Sequence, residues 1–353
     1  MRRRQPLKES RLAQPVDALW TRVICKQPGR YIGWPTIARS KTGELLAVFS
    51  GDRAEHICPW GKTHLVRSSD DGETWTPTEI IRDSPLDDRD AGIIETARGT
   101  LLVSWFTAAS FESNADYRDY AATLTTETRD RFIGNWVLRS ADGGRSWGQP
   151  IRVNASAPHG PVQLRDGRIL YLGVGVINGE RAIVAEESAD DGRSWNVIGT
   201  VSHPLETAHR GLGEPHLVET ASGKLIGLFR VGGEDLSERF LYQADSDDGG
   251  RTWTPARVTP MLGFPPHLTR LQDDCLLVVF GRRLAPFGQR MCLSSDDGAT
   301  WDGAGERIVQ AAPNNDLGYP AAVQLSDGSI ITVYYQVDEV GEKTCLMGTR
   351  WRL

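Results

Sequence analysis

Two sets of residues in this 353-residue chain carry groups able to move protons or hold an anion, and both sets recur along it. The first set is Trp34-Pro35, Arg89-Asp90, His159-Gly160-Pro161, Glu214-Pro215-His216, Pro266-His267 and Tyr319-Pro320. The second is Gly51-Asp52-Arg53, Arg230, Arg282-Arg283 and Tyr335. Unpaired buried charge is costly, so ionisable groups that converge in a cleft mark a candidate site. Each also has a plainer explanation. Arg230 can simply pair with Glu214, Tyr319 can be a core aromatic, the histidines can be satisfied rim residues, and Asp87 to Asp90 can be a solvated loop. Only a fold that gathers both sets at one place favours chemistry.

The elements that must position these residues are repetitive. Five octets fit Ser-x-Asp-x-Gly-x-Ser/Thr-Trp: SSDDGETW (68–75), SADGGRSW (140–147), SADDGRSW (188–195), SDDGGRTW (246–253) and SSDDGATW (294–301). Short β-rich runs behind a Gly or Asp turn, such as TGELLAVFS, DGRILYLGV and DGSIITVYY, occur six times, about 50 to 70 residues apart. Each pairs with a preceding extended stretch as a hairpin, at 34–50, 90–107, 160–174, 215–230, 266–281 and 320–335. A third strand precedes each octet and a fourth follows it. The chain therefore predicts an all-β fold over residues 1–353, a six-bladed β-propeller with four antiparallel strands per blade. The last unit lacks a fourth strand, which the segment 19–27 can supply, closing the ring. In each octet the Asp and Ser side chains hold the turn, Gly takes the backbone angles others avoid, and Trp fills the gap between blades. A calcium loop is not expected, since the regular oxygen ligands and closing Glu are absent. In such a ring the starts of first strands and the ends of second strands meet at one axial mouth.

Bulk properties narrow the partners. A net charge of −6 argues against nucleic acid. No apolar run approaches the length of a membrane span, so no membrane partner is expected. The start MRRRQPLKES is basic without the apolar stretch of a signal peptide, which suits a cytoplasmic protein, or a secreted or periplasmic one whose leader has been removed. Five widely spaced cysteines without a CxxC pair read as free buried thiols, with no metal and no cofactor expected.

At the octets and the mouth residues the chain resembles the sialidase (neuraminidase) superfamily, as a divergent branch; the octets match its Asp boxes. In GEPHLVETASGKLIGLFR, Glu214 and Arg230 stand where that family has its blade-four acid and second arginine. In LGYPAAVQLSDGSI, Tyr319 stands where it has its nucleophilic tyrosine, and in FGRRLAPFGQR, Arg282 or Arg283 matches the third arginine. The resemblance implies an exo-glycosidase that removes a terminal, acidic sugar from a carbohydrate. Tyr319 would be the nucleophile, Glu214 its base, and Arg230 with Arg282 the anion clamp. Two departures stand out. YIGWPTI has Ile32, Gly33 and Trp34 where the family has its first arginine, with Arg30 and Arg53 nearby. GDRAEHICPW puts Asp52 before Arg53 and offers Glu55 and His56, so the acid is Asp52, His56, Asp88 or Asp90. Arg53, Arg89, His159, His216, His267 and Trp34 complete the expected substrate contacts.

Two other functions fit the same mouth. A polysaccharide lyase or histidine-led glycosidase would use His159, His216 or His267 with Tyr319. A carbohydrate-binding propeller would bind without turnover.

Overall fold

The computed structural model describes residues 13–202, 211–233 and 235–353; the basic start MRRRQPLKES lies outside them. Six sheets are formed, each a run of antiparallel strands ordered from the axis outward. Blade one is Tyr31–Arg39, Leu45–Arg53, Lys62–Ser68 and Glu79–Arg82. Blade two is Asp87–Glu95, Leu101–Ala108, Gly134–Ser140 and Ile151–Val153. Blade three has a first strand of only two residues, Val162–Gln163, followed by Ile169–Ile177, Glu180–Ser188 and Asn196–Val201. Blade four is Leu212–Glu219, Leu225–Val231, Phe240–Ser246 and Arg257–Leu262. Blade five is Pro266–Arg270, Leu276–Arg282, Gly288–Ser294 and Arg307–Ala311. Blade six is Leu317–Gln324, Ile330–Gln336 and Cys345–Arg352, completed by the N-terminal strand Asp17–Cys25. The ring thus closes as expected, two residues earlier than the predicted 19–27. One strand was not foreseen: Gln14–Pro15 pairs parallel to Arg307–Ile308 on the outer edge of blade five.

Each octet is a side-chain-locked turn. In the first, the Ser68 hydroxyl donates to Asp70 Oδ1 (2.8 Å) and accepts the Gly72 N–H (2.9 Å), while Asp70 accepts from the Thr74 N–H (2.9 Å). Those bonds, led by the Thr74 hydroxyl, hold the Asp70 carboxyl down at about 2. The tryptophans fill the seams as expected. Trp75 packs into the cluster shared by blades six and one, and Trp147, Trp195, Trp253 and Trp301 fill the next four seams in order. The seam between blades five and six has no octet; Trp351, on the third strand of blade six, fills it instead. The core is therefore six seams around an axis.

At the lower mouth, where the first strands end, the seams are tied again. Glu95, Gln163, Glu219 and Gln324 each accept a backbone N–H from the hairpin of the preceding blade, at Lys41, Ala97, Arg165 and Gln272. At the upper mouth, blade two carries a 109–133 insertion with short helices Arg118–Thr123 and Thr126–Phe132. It packs Phe111 and Tyr117 against Cys58 and Leu86. No helix among the described residues is long and apolar enough to cross a membrane. Cys58, Cys292 and Cys345 are buried free thiols, and Cys25 and Cys275 are half-buried free thiols.

Candidate active site

Four residues of the first strands have a left-handed backbone without being glycine: Trp34 (φ 53°), Asp90 (φ 53°), Glu214 (φ 43°) and Tyr319 (φ 52°). Each lies where its strand slips register against the second strand, between Gly33 and Thr36, Arg89 and Gly92, Gly213 and His216, and Gly318 and Ala321. Such a conformation costs about 1–3 kcal/mol per residue and clusters at functional sites. The same bulge is built into four blades, and three copies share the sequence Gly-x-Pro. Asp90, Glu214 and Tyr319 line a cavity of about 730 Å³ at the upper mouth, with Trp34 buried beneath against the Tyr319 ring (6.3 Å between centroids).

The closest interactions join blades four and six. The Tyr319 hydroxyl donates to Glu214 Oε1 at 2.7 Å, and Arg230 donates to the same oxygen at 2.5 Å. Arg230 also lies 3.3 Å from the Tyr319 hydroxyl. Burial pushes the Glu214 carboxyl up, but Arg230 and the tyrosine more than offset it, so it sits below its usual range and is ionised. Burial first, then the Glu214 charge, holds the Tyr319 phenol well above its usual value, so it is neutral at rest. Glu214 Oε2 is buried without a hydrogen-bond partner.

Asp90 is the second acid on the cavity. Its Oδ1 has no hydrogen-bond partner, and burial raises the carboxyl to about 7 against the opposing pull of Arg89. Asp88 is also raised, to about 6, yet it is pinned by Thr107 (2.6 Å) and by Ser84 N–H (2.9 Å) and hydroxyl (3.0 Å). His56 lines the cavity and contacts the Tyr31 hydroxyl (3.0 Å), which donates to Asp316 (2.9 Å). Burial and then Arg89, Arg283 and Arg53 lower His56 to about 3, leaving a neutral imidazole.

The arginines divide into two groups. Arg89, Arg230 and Arg283 line the cavity. Arg89 stacks on Trp34 (4.3 Å) and reaches Asp87 only at 3.9 Å. Arg283 donates to Leu317 O (2.8 Å) and to the Tyr335 hydroxyl. Arg53 is fully buried and also stacks on Trp34 (4.6 Å), with both amino groups committed to Asp87 at 2.6 and 2.9 Å. It does not line the cavity. Arg282 also points away from it, with Nε on Leu284 O (3.2 Å). Adjacent residues at the end of a strand face opposite ways, and Arg283 is the one turned toward the opening. Asp52 faces outward, held by Gln27 (3.0 Å) and 3.4 Å from Lys62.

The three histidines lie deeper than expected. His216 and His267 stack in the axial channel (4.4 Å between centroids), and His159 meets both edge-on (5.7 and 5.0 Å), beneath Tyr319. They line a separate cavity of about 400 Å³ at the lower mouth. His216 follows Glu214 by two residues on the same strand, past the bulge, and accepts the Leu268 N–H of blade five at Nδ1 (2.9 Å). Burial lowers all three, His216 to about 3. Sequence reasoning missed Asn135, Phe106 and Arg181 on the cavity wall. The signal for Arg181 was the Asn-Gly turn just before it, which ends blade three low.

The sequence profile described as BNR repeat-like domain matches residues 120–334. No curated protein matches the chain. Among solved structures, a protein of unknown function from Dyadobacter fermentans DSM 18053 is 24% identical with a TM-score of 0.81, over 96% of this chain and 99% of that one. The NanB sialidase from Streptococcus pneumoniae is 13% identical with a TM-score of 0.69, over 96% and 71% of the two chains. An α-L-arabinanase from Penicillium chrysogenum is 16% identical with a TM-score of 0.66, over 95% and 98%. These likenesses establish the shared fold.

Proposed function

This chain belongs to the BNR repeat-like domain family, and from that premise we propose that it is a retaining exo-glycosidase acting on a terminal acidic sugar, with Tyr319 as nucleophile. The observation that carries the reading is the 2.7 Å hydrogen bond from Tyr319 to an ionised Glu214 that also holds Arg230. A carboxylate beside the anomeric carbon would repel an anionic nucleophile, and a neutral phenol avoids that repulsion. As the phenol oxygen bonds to the anomeric carbon, its proton passes to Glu214 and the glycosidic bond breaks. Asp90, protonated near neutral pH, gives its proton to the leaving oxygen. Water then attacks the glycosyl-tyrosine carbon, with Asp90 taking the water's proton and Glu214 returning one to the phenolate. Arg89, Arg230 and Arg283 hold the sugar carboxylate by charge-assisted hydrogen bonds.

The test is hydrolysis of an aryl sialoside and aryl uronide panel by the wild type, Tyr319→Phe and Asp90→Asn. Loss of the nucleophile or the acid is expected to lower kcat/KM by about 10²–10⁴-fold on any substrate turned over. Full turnover by Tyr319→Phe would remove the tyrosine from the mechanism.

A second reading rests on the opposed shifts of Glu214 and Asp90, the pattern of a two-carboxylate glycosidase acting on a neutral sugar. The α-L-arabinanase fold likeness puts aryl arabinofuranosides on the same panel. This reading expects Glu214→Gln to be inactive and Tyr319→Phe to remain active. A histidine-led reaction has no such support, since the three channel histidines line the lower cavity.

A further inference from the structure

The upper cavity is not confined to the axis. From blades one, four, five and six it takes residues of the first strands or of the ends of the second strands and just beyond. From blade three it takes Val174 to Val176 on the second strand and Arg181 on the third, and from blade two Asn135 on the third strand. Strands run outward in that order, so the cavity extends radially from Tyr319 across blade three. Two features of the sequence make the room. The first strand of blade three is only two residues long, and its second and third strands are joined by the tight turn Asn178-Gly179. Val176 is 55% exposed at the trough floor. Arg181 is exposed, with one amino group anchored on Leu212 O (2.9 Å) and no other hydrogen bond from its guanidinium among the described residues. Asn135 is anchored through Nδ2 on Asn154 O (2.7 Å), leaving its carbonyl oxygen as the acceptor it can offer.

We infer that this trough over blade three is the subsite for the sugar unit attached to the terminal one, with Arg181 and Asn135 bonding its hydroxyls and Val174 and Val176 under its ring. The inference rests on the glycosidase reading for its terminal site and deepens it: the substrate is an oligosaccharide, recognised over at least two units, and Arg181 is a specificity residue. An apolar floor with a few polar groups fixing orientation is the usual make-up of such a pocket.

The experiment measures binding by calorimetry for sialic acid, glucuronic acid and arabinose, each beside a disaccharide that carries it at the non-reducing end. The proteins are the wild type, Arg181→Ala and Val176→Trp, the last filling the trough from an exposed position. At least one disaccharide is expected to bind the wild type about tenfold or more tightly than its monosaccharide, and both variants are expected to erase that advantage while moving the monosaccharide by less than about twofold. Equal binding of every pair, or an advantage that survives both variants, overturns the subsite. Failure of the two readings is distinguishable. A disaccharide advantage erased by both variants, without turnover, keeps the trough and removes the reaction; turnover without that advantage keeps the reaction and removes the trough. No binding of any sugar overturns both.

Discussion

Asp90 is the residue whose state most directly sets the pH behaviour. Its carboxyl is raised to about 7 by burial, so in the folded protein it holds a proton that the unfolded chain releases near its ordinary value. Between about pH 4 and 7 the folded state therefore binds more protons, and this group's contribution to stability falls as pH rises through that window and levels off above about 7. In the proposed role of general acid it would lose its proton over the same upper limb, so kcat/KM is expected to decline above about pH 7. Asp90→Asn is expected to abolish that limb and to be more stable relative to wild type at pH 8 than at pH 5, read from chemical denaturation at both. A limb that persists in the variant would assign it to another group. At this scale the sequence was partly legible. Glu214, Arg230 and Tyr319 could be placed because blade position alone sends them to one mouth. Arg283 over Arg282, and the burial of Arg53 on Asp87, could not, because neighbouring residues at a strand end differ only by which way the pleat turns. The left-handed bulges that aim Asp90, Glu214 and Tyr319 left only a trace, Gly-x-Pro in three blades.

Elements were more legible than residues where local chemistry dictates them. The octets lock their own turns through side chains four residues apart, so they form wherever that spacing is written. The two-residue first strand of blade three and the 109–133 insertion were not legible, because each is set by what lies beside it. The octet tryptophans act between blades, which makes their energetics a seam property. Trp301 is 8% exposed, donates to Gln243 (2.6 Å) across the seam and packs with Ile226, Leu228 and Val278. Trp301→Ala is expected to cost about 3–5 kcal/mol by chemical denaturation, as a large buried aromatic leaving a cavity. Asp70→Ala loosens a turn exposed to water, and its cost is expected to be the smaller of the two. The opposite order would mean that the octets work as turns more than as wedges.

Over the whole molecule, what holds the site together is closure. Tyr319, Glu214 and Asp90 come from blades six, four and two, so their geometry depends on every seam between them staying shut. The weakest point of a ring is where the chain ends meet, and here Asp17–Cys25 closes it by pairing along Cys345–Arg352. That strand also brings Trp20 and Ile24 into the seam between blades six and one, while Val16 enters the seam between five and six. Removing it would strip apolar cover from two seams at once and leave a bare third strand as a sheet edge prone to pairing with other chains. The hydrogen-bond ties of Glu95, Gln163, Glu219 and Gln324 link blade to blade at the lower mouth, so loss at one seam propagates around the axis. A variant lacking residues 1–25 is therefore expected to melt about 10 °C or more below the full chain and to self-associate, by calorimetry and light scattering. Trp20→Ala in the intact chain, which keeps the strand and weakens only its seam contact, is expected to fall between the two. A truncated protein that melts with the full chain would show that the six blades hold their ring without the clasp, and the shared geometry of the mouth would then have to be explained by the seams alone.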